Sequence, residues 1–426
     1  MKRIRPSLSV MAVTAFLVLL AAQIAAQQSL TWDQVKAQFE VANPALKADA
    51  LSVDEMRANE ITAYLRPNPQ VTAAADGTQI APNKGVWEPL SGTDVQPGIS
   101  YLHERERKRE LRLQSAKEGA GIAGFQHEDL ERNLLFDLRS QFIQTLQAKA
   151  VLELAKADLA YYDKIIEISR NRHKAGDIAQ IDLDRIELVR VQYEQEIQTA
   201  MVNLRTAKIH LLQLLDSRTP VEKFDVTGRF DFDDSLKPLD DFHQIAFDAR
   251  PDLRAALEAV QQAQTNHKLA VANGSTDPTF STWYTWNASN NNSNATQTLG
   301  ASVSIPLRIF DHNQGEKKRT LIDIDRNHQL AEGARAQVFS DVDSAYAQVE
   351  SSIALLRPYK AQYKDQALRV RDTVTYAYNH GGASLMDFLS AQSDYRSVQL
   401  AYLQLIGSYL TAVGQLNLAV GREVIQ

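Results

Sequence analysis

The segment Ala175-Gly176-Asp177-Ile178-Ala179-Gln180-Ile181-Asp182 returns 205 residues later as His380-Gly381-Gly382-Ala383-Ser384-Leu385-Met386-Asp387. In both copies glycine separates two runs of helical periodicity, where it supplies the positive-φ turn that a helical hairpin needs. Further out, Asn43-Pro44-Ala45-Leu46 is echoed by Arg250-Pro251-Asp252-Leu253, and Asn68-Pro69-Gln70-Val71 by Asp277-Pro278-Thr279-Phe280, at offsets of 207 and 209. Three landmarks in one order at nearly constant spacing mark a duplicated unit, with a period far longer than a solenoid repeat.

Each half reads as helix, strand, strand, very long helix, turn, helix. In the first half a helix begins at Thr31, a suitable N-cap, and breaks before Pro67-Asn68-Pro69. Alternating segments follow at about 70–78 and 95–102, joined by a loop rich in Gly, Pro and Asn. From about Glu104 to Lys174 the sequence is helical without a proline. Its apolar positions recur every ~3.7 residues, which predicts nearly straight helices rather than a left-handed supercoil. About 70 residues at 1.5 Å each make roughly 100 Å of helix. The second half reads as helix from Phe242 to about Ala272, strands at 279–287 and 298–305, and helix from beyond Gly315 to about Asn379. Pro358 interrupts that helix, Gly381-Gly382 turns the chain, and a last helix runs from Ser384 to Val420.

The chain has 426 residues, formal charge −6, 44% hydrophobic residues, 23% charged residues and no cysteine. Such composition excludes a disordered tail or a collagen. The mild acidity argues against nucleic acid as a partner. Lacking cysteine, the chain has no disulfide, thiolate metal site, Cys nucleophile or N-terminal Cys for a lipid. Lys2, Arg3 and Arg5, the apolar run Leu8–Leu20, and Ile24-Ala25-Ala26 read as a signal peptide over residues 1–26. The expected organisation is then a first repeat at 27–215, an inter-repeat linker at 216–241 and a second repeat at 242–426.

In the fourth strand segment Leu299, Ala301, Val303 and Ile305 alternate with Thr298, Gly300, Ser302 and Ser304. In the third, Phe280, Tyr284 and Trp286 share a face, with Trp283 breaking the pattern. Apolar-out, polar-in segments of about ten residues mark transmembrane β-strands, and terminal Trp and Tyr fit an interfacial girdle. Four strands are too few to close a barrel around a lumen, and an open edge in lipid leaves backbone groups unsatisfied. Strands from several copies must therefore close the ring, eight from two chains or twelve from three. A lumen lined by Thr and Ser favours twelve.

Over about Leu30 to Gly421 the chain resembles the TolC/OprM-like outer-membrane factor family. The resemblance is carried by Leu30-Thr31-Trp32 through Asn43-Pro44, Leu65-Arg66-Pro67-Asn68-Pro69, and Val303-Ser304-Ile305-Pro306-Leu307 leading to Asn313-Gln314-Gly315. Tyr378, Gly381, the run Ser384 to Gln392, and Ala419-Val420-Gly421 add to it. The resemblance implies a mainly α fold with a membrane β-barrel: a homotrimer with twelve outer-membrane strands above a periplasmic tunnel of twelve helices. It implies a passive channel of tripartite efflux (RND-type) or type I secretion, working with a periplasmic adaptor and an inner-membrane RND-type or ABC pump, without a cofactor. It places Gly176 and Gly381 at the hairpin tips where the adaptor docks, Asp387 at the tunnel constriction, and Tyr378 and Asp182 in the tether of the tips. Ala383 stands where the best-known member has the partnering arginine, and Ser390 where it has a second gate aspartate. Three copies of Asp387 would form an acidic ring, a recurrent device for ion selectivity.

Other motifs carry less. Gly119-Ala120-Gly121-Ile122-Ala123-Gly124 has dinucleotide-binding spacing but follows a charged helical run, not a strand. His103-Glu104 and His127-Glu128 lack the paired histidines of a zinc protease. Asp182 and Asp184 lie two apart on a helix and face different ways. No triad or phosphate loop is present, so the expectation is no enzyme. The rival reading is a periplasmic coiled-coil adaptor or scaffold, which also uses long helical hairpins.

Overall fold

The computed structural model describes residues 29–287 and 294–425. The expected signal peptide and part of the Asn-rich loop at 287–294 therefore lie outside the described residues. In chain order the elements are β1 (Ser29–Leu30), α1 (Trp32–Ala42), α2 (Pro44–Tyr64), β2 (Gln70–Asp76), β3 (Asp94–Leu102), α3 (Lys108–Ala175) and α4 (Gln180–Leu214). After a 3-10 turn come β4 (Asp225–Val226), α5 (Leu239–Ala249), α6 (Pro251–Asn273), β5 (Thr279–Trp286), β6 (Gln297–Ser304) and α7 (Gln314–Pro358). A π-helical turn at Tyr359–Tyr363 leads to α8 (Lys364–Asn379) and α9 (Leu385–Val420). Among the described residues no helix is long and apolar enough to cross a membrane.

Two expected helices are each broken once. Asn43 ends α1 and starts α2, its Oδ1 accepting the N–H groups of Ala45 at 2.9 Å and Leu46 at 3.2 Å. Pro44 occupies the first position of α2, where a missing N–H costs nothing. Arg250-Pro251 repeats the break between α5 and α6. Pro358 is accommodated differently. It has no N–H to give and crowds the preceding turn, yet the helix runs through it and continues into a π turn.

The chain divides into two compact units. One comprises residues up to Lys47, Asp129–Arg250 and everything from Gln337 on; the other comprises Ala48–Glu128 and Pro251–Ala336. Each unit therefore takes segments from both repeats. In the first unit Val35, Phe39, Leu138, Phe142, Leu211 and Val226 form a buried cluster where α1, α3, α4 and β4 meet. There β1 and β4 pair in parallel over two residues. Asp225 holds this corner through Lys149 at 2.6 Å and Lys208 at 3.1 Å. Burial opposes ionisation of Asp225, but the two ammonium groups bring its pKa below the ordinary carboxylate value.

The second unit carries one antiparallel sheet, ordered β2-β3-β5-β6. At its helical end Asp277 accepts Lys108 Nζ at 2.6 Å and the Arg105 N–H at 2.9 Å. Lys108 is nearly inaccessible. Removing one partner of such a pair leaves an uncompensated buried charge, at about 3–5 kcal/mol.

Candidate functional site

The sheet sorts its side chains by register. Tyr101 pairs with Phe280 and Val95 with Trp286; Phe280 pairs with Val303 and Tyr284 with Leu299; Val71 pairs with Ile99 and Ala75 with Val95. Cross-strand partners share a face and alternate along each strand. All these residues, with Ala73, Pro97, Thr282 and Ala301, therefore lie on one almost wholly apolar face. Phe280, Tyr284, Trp286, Leu299 and Val303 are exposed on it, Leu299 by 80%; Ile305, one residue beyond β6, is exposed as well. The opposite face carries Gln70, Thr72, Gln96, Ser100, Ser281, Thr285, Thr298, Ser302 and Ser304. β2 and β6 are edge strands without a partner among the described residues.

Trp283, which breaks the alternation, sits on the polar face between two glycines. Gly98 and Gly300 are its cross-strand partners on either side. A Cβ at Gly300 would collide with the indole, and one at Gly98 would stand 3.1 Å from the Trp283 Cβ. The glycines clear the space that the ring occupies.

The helical hairpins of the first unit end as the repeat predicts. Gly176 has φ +85° and Gly381 φ +77°. The Asp177 N–H returns to the Arg172 carbonyl and the Gly382 N–H to the Ala377 carbonyl, the long backbone bond of a Schellman ending. Just inside the tips, Tyr162, Ile165, Ile186, Tyr193, Tyr378, Leu385 and Phe388 form one buried cluster drawn from both hairpins.

Tyr378 is buried, stacks on Phe388 at 4.9 Å, and leaves its hydroxyl without a partner. Burial raises its pKa; Arg172 opposes the rise and Asp182 adds to it. The structure therefore brings Tyr378, Asp182 and Arg172 into one neighbourhood. Arg172 Nη1 donates to the Tyr378 carbonyl at 3.0 Å, and its guanidinium stands 5.0 Å from the Tyr378 ring centroid. Position 383 is an alanine, and the arginine that reaches Tyr378 comes from the first hairpin. Sequence reasoning missed Arg172, although the basic run Arg172-His173-Lys174 before Gly176 was visible.

Asp387 is exposed and occupied as a helix cap. Its carboxylate accepts the Ser384 hydroxyl at 2.7 Å and the Ser384 N–H at 3.1 Å, while the Ser384 hydroxyl accepts the Asp387 N–H. These bonds hold its pKa below the usual carboxylate range, so it is ionised at neutral pH. Ser390 is exposed, one helical turn further along α9. Asp158, which sequence reasoning passed over, has its carboxyl pushed up to about 6, mainly by burial. Among the described residues no group of three or more His, Asp or Glu side chains converges as a metal site.

Comparison with known proteins agrees with this geometry. Residues 243–422 match the family described as outer membrane efflux protein. The chain is 22% identical over 366 residues to the cobalt-zinc-cadmium resistance protein CzcC of Cupriavidus metallidurans, covering 82% of this chain and 79% of that one. Its fold is similar to that of CusC, with a TM-score of 0.76, 17% identity and 92% of each chain covered. It is also similar to the outer-membrane channel OprN, with a TM-score of 0.74, 17% identity, and 92% of this chain and 89% of that one covered. The second half of the chain is thus similar to the outer membrane efflux proteins, and the fold of the described residues is that of the solved outer-membrane channels.

Proposed function

We propose that the protein is the passive outer-membrane duct of a tripartite efflux or type I secretion system. The observation that carries this reading is the four-stranded sheet, apolar and exposed on one face, polar on the other, and open at both edges. Exposed apolar area on this scale needs lipid or a partner, and open edges in lipid need neighbouring strands. Three copies supply twelve strands and a lumen lined by Thr, Ser and Gln. Phe280, Tyr284, Trp286, Leu299, Val303 and Ile305 then meet lipid, with the larger rings anchoring at the interface.

The helical hairpins of three copies form the periplasmic part of the duct. The tips at Gly176 and Gly381 are the docking points for an adaptor coupled to an inner-membrane pump, which supplies the energy. Residues 27–215 and 242–426 act as two repeats joined by 216–241, behind a signal peptide at 1–26. Asp387, ionised and exposed, supplies the acidic ring at the constriction, near Ser390; Tyr378 and Asp182 belong to the contacts that keep the tips together. The name of the Cupriavidus relative makes divalent metal cations the first cargo to test.

Single-channel conductance of the purified protein in planar bilayers tests the reading. Discrete cation-favouring steps are expected, with weaker cation preference in Asp387→Asn. Silent bilayers from protein that leaves membranes in high salt or carbonate would overturn it and favour the adaptor or scaffold reading.

A further inference from the structure

At the other end of the sheet from its four connections to helices, Asp76 closes β2 and Asp94 opens β3. The register sets them directly opposite one another, so both side chains lie on the polar face. Like charges at such a pair repel. Among the described residues no lysine or arginine bridges either carboxylate. Asp76 Oδ1 accepts only the Gly77 N–H, at 2.8 Å. Asp94 is 5% exposed, and its Oδ1 is fully buried with no hydrogen-bond partner. Leaving a buried carboxylate oxygen unpaired is costly, doubly so beside a second negative charge.

The surroundings offer more oxygen. The hydroxyls of Thr78 and Thr93 lie 3.2 Å apart, two residues past Asp76 and one before Asp94. Asn287, at the end of β5, closes the corner by donating to the Thr93 carbonyl at 3.1 Å. These donors are all oxygen, with neither imidazole nor thiolate, a set that suits hard cations.

We propose that Asp76 and Asp94 hold a divalent cation, Ca²⁺ or Mg²⁺, whose shell is completed by the threonine hydroxyls and water. The ion neutralises the repelling pair, satisfies the buried Asp94 oxygen and pins the ends of the 77–93 loop. With only two carboxylates its affinity falls in the weak range of extracellular calcium modules, a Kd of about 10⁻⁴–10⁻³ M. That the ion comes from the external medium rests on the outer-membrane reading; the site itself lies within one chain.

Terbium provides the probe, because Trp286 pairs with Val95, next to Asp94, and can sensitise its emission. Tb³⁺ added to the full-length protein in detergent free of lipopolysaccharide should give saturable emission under tryptophan excitation. Ca²⁺ should displace it with a half-point of about 10⁻⁴–10⁻³ M, and Zn²⁺ no better than Ca²⁺. Asp94→Asn and Asp76→Asn should each weaken Tb³⁺ binding about tenfold or more. Asp76 is exposed, so its variant keeps the fold and serves as the control if Asp94→Asn is poorly folded. Absence of saturable emission in the wild type, or unchanged emission and displacement in Asp76→Asn, would overturn the proposal. Failure of the channel reading shows instead as silent bilayers, which leave this signal intact.

Discussion

The two hairpin tips descend from one segment, share one backbone solution, and are held by different chemistry. Both turn on a left-handed glycine with the same long return bond. Both place an aspartate three residues after the N-cap of the returning helix: Asp182 after Ala179, Asp387 after Ser384. Only Ser384 has a hydroxyl, so only the second tip forms a capping box and engages its aspartate. Asp182 has no such partner and instead adds its charge to the neighbourhood of Tyr378. One substitution at the cap position thus redirects the acid three residues later. Duplication conserved the turn, which backbone sterics dictate, and released the side chains around it.

The largest expected effect tests where the shared core of the tips resides. Tyr378 occupies the place that His173 has in the first repeat, yet it is buried against Phe388 while His173 bonds the Ile178 carbonyl near the turn. Tyr378→Ala should cost about 3–5 kcal/mol and raise hydrogen exchange in both tips, since the cluster draws on both. Tyr378→Phe should be neutral or stabilising, because the lost hydroxyl has no partner. Protection lost in the second tip alone would show that the hairpins stand independently.

Next in size is Arg172→Ala, which removes the guanidinium bonded to the Tyr378 carbonyl and packed against its ring. A hydrogen bond to a charged group is worth about 1.5–3 kcal/mol. Faster exchange should appear at the second tip, 206 residues from the mutation. Under the proposed channel reading, in which this contact helps hold the tips together, the variant should also open more readily in bilayers. An effect confined to residues near 172 would mean that the arginine only caps its own helix.

What the sequence revealed and what it hid follow a physical division. The turn glycines, the four strands and the apolar face were readable because each rests on local periodicity or backbone sterics. Asn43 and Arg250 were not read as breaks, although Pro44 and Pro251 stand where a first helical residue tolerates proline. The apolar pattern continues through both junctions and masks them. β1 and β4 are too short, at two residues each, to have a period. Trp283 contradicted its strand until Gly98 and Gly300 appeared as its neighbours, a fact of register rather than of sequence. Arg172 was hidden for the same reason: its partner is set by packing between repeats.

The smallest effect addresses the cap directly and can be read in both directions. Ser384→Ala should cost about 1 kcal/mol by removing an N-cap hydroxyl, leaving Asp387 with neither the hydroxyl donor nor its reciprocal bond. The reverse exchange, Ala179→Ser, installs the missing half of the box before an aspartate already at the right spacing. It should stabilise the first tip by about 1 kcal/mol and draw the Asp182 carboxylate towards residue 179. Its charge would then press less on Tyr378, so the tyrosine pKa should fall towards its ordinary value, followed by its ultraviolet titration. If Ala179→Ser stabilised the tip and left that titration unmoved, Asp182 would have no part in the Tyr378 contact. The difference between the tips would then be one of capping alone.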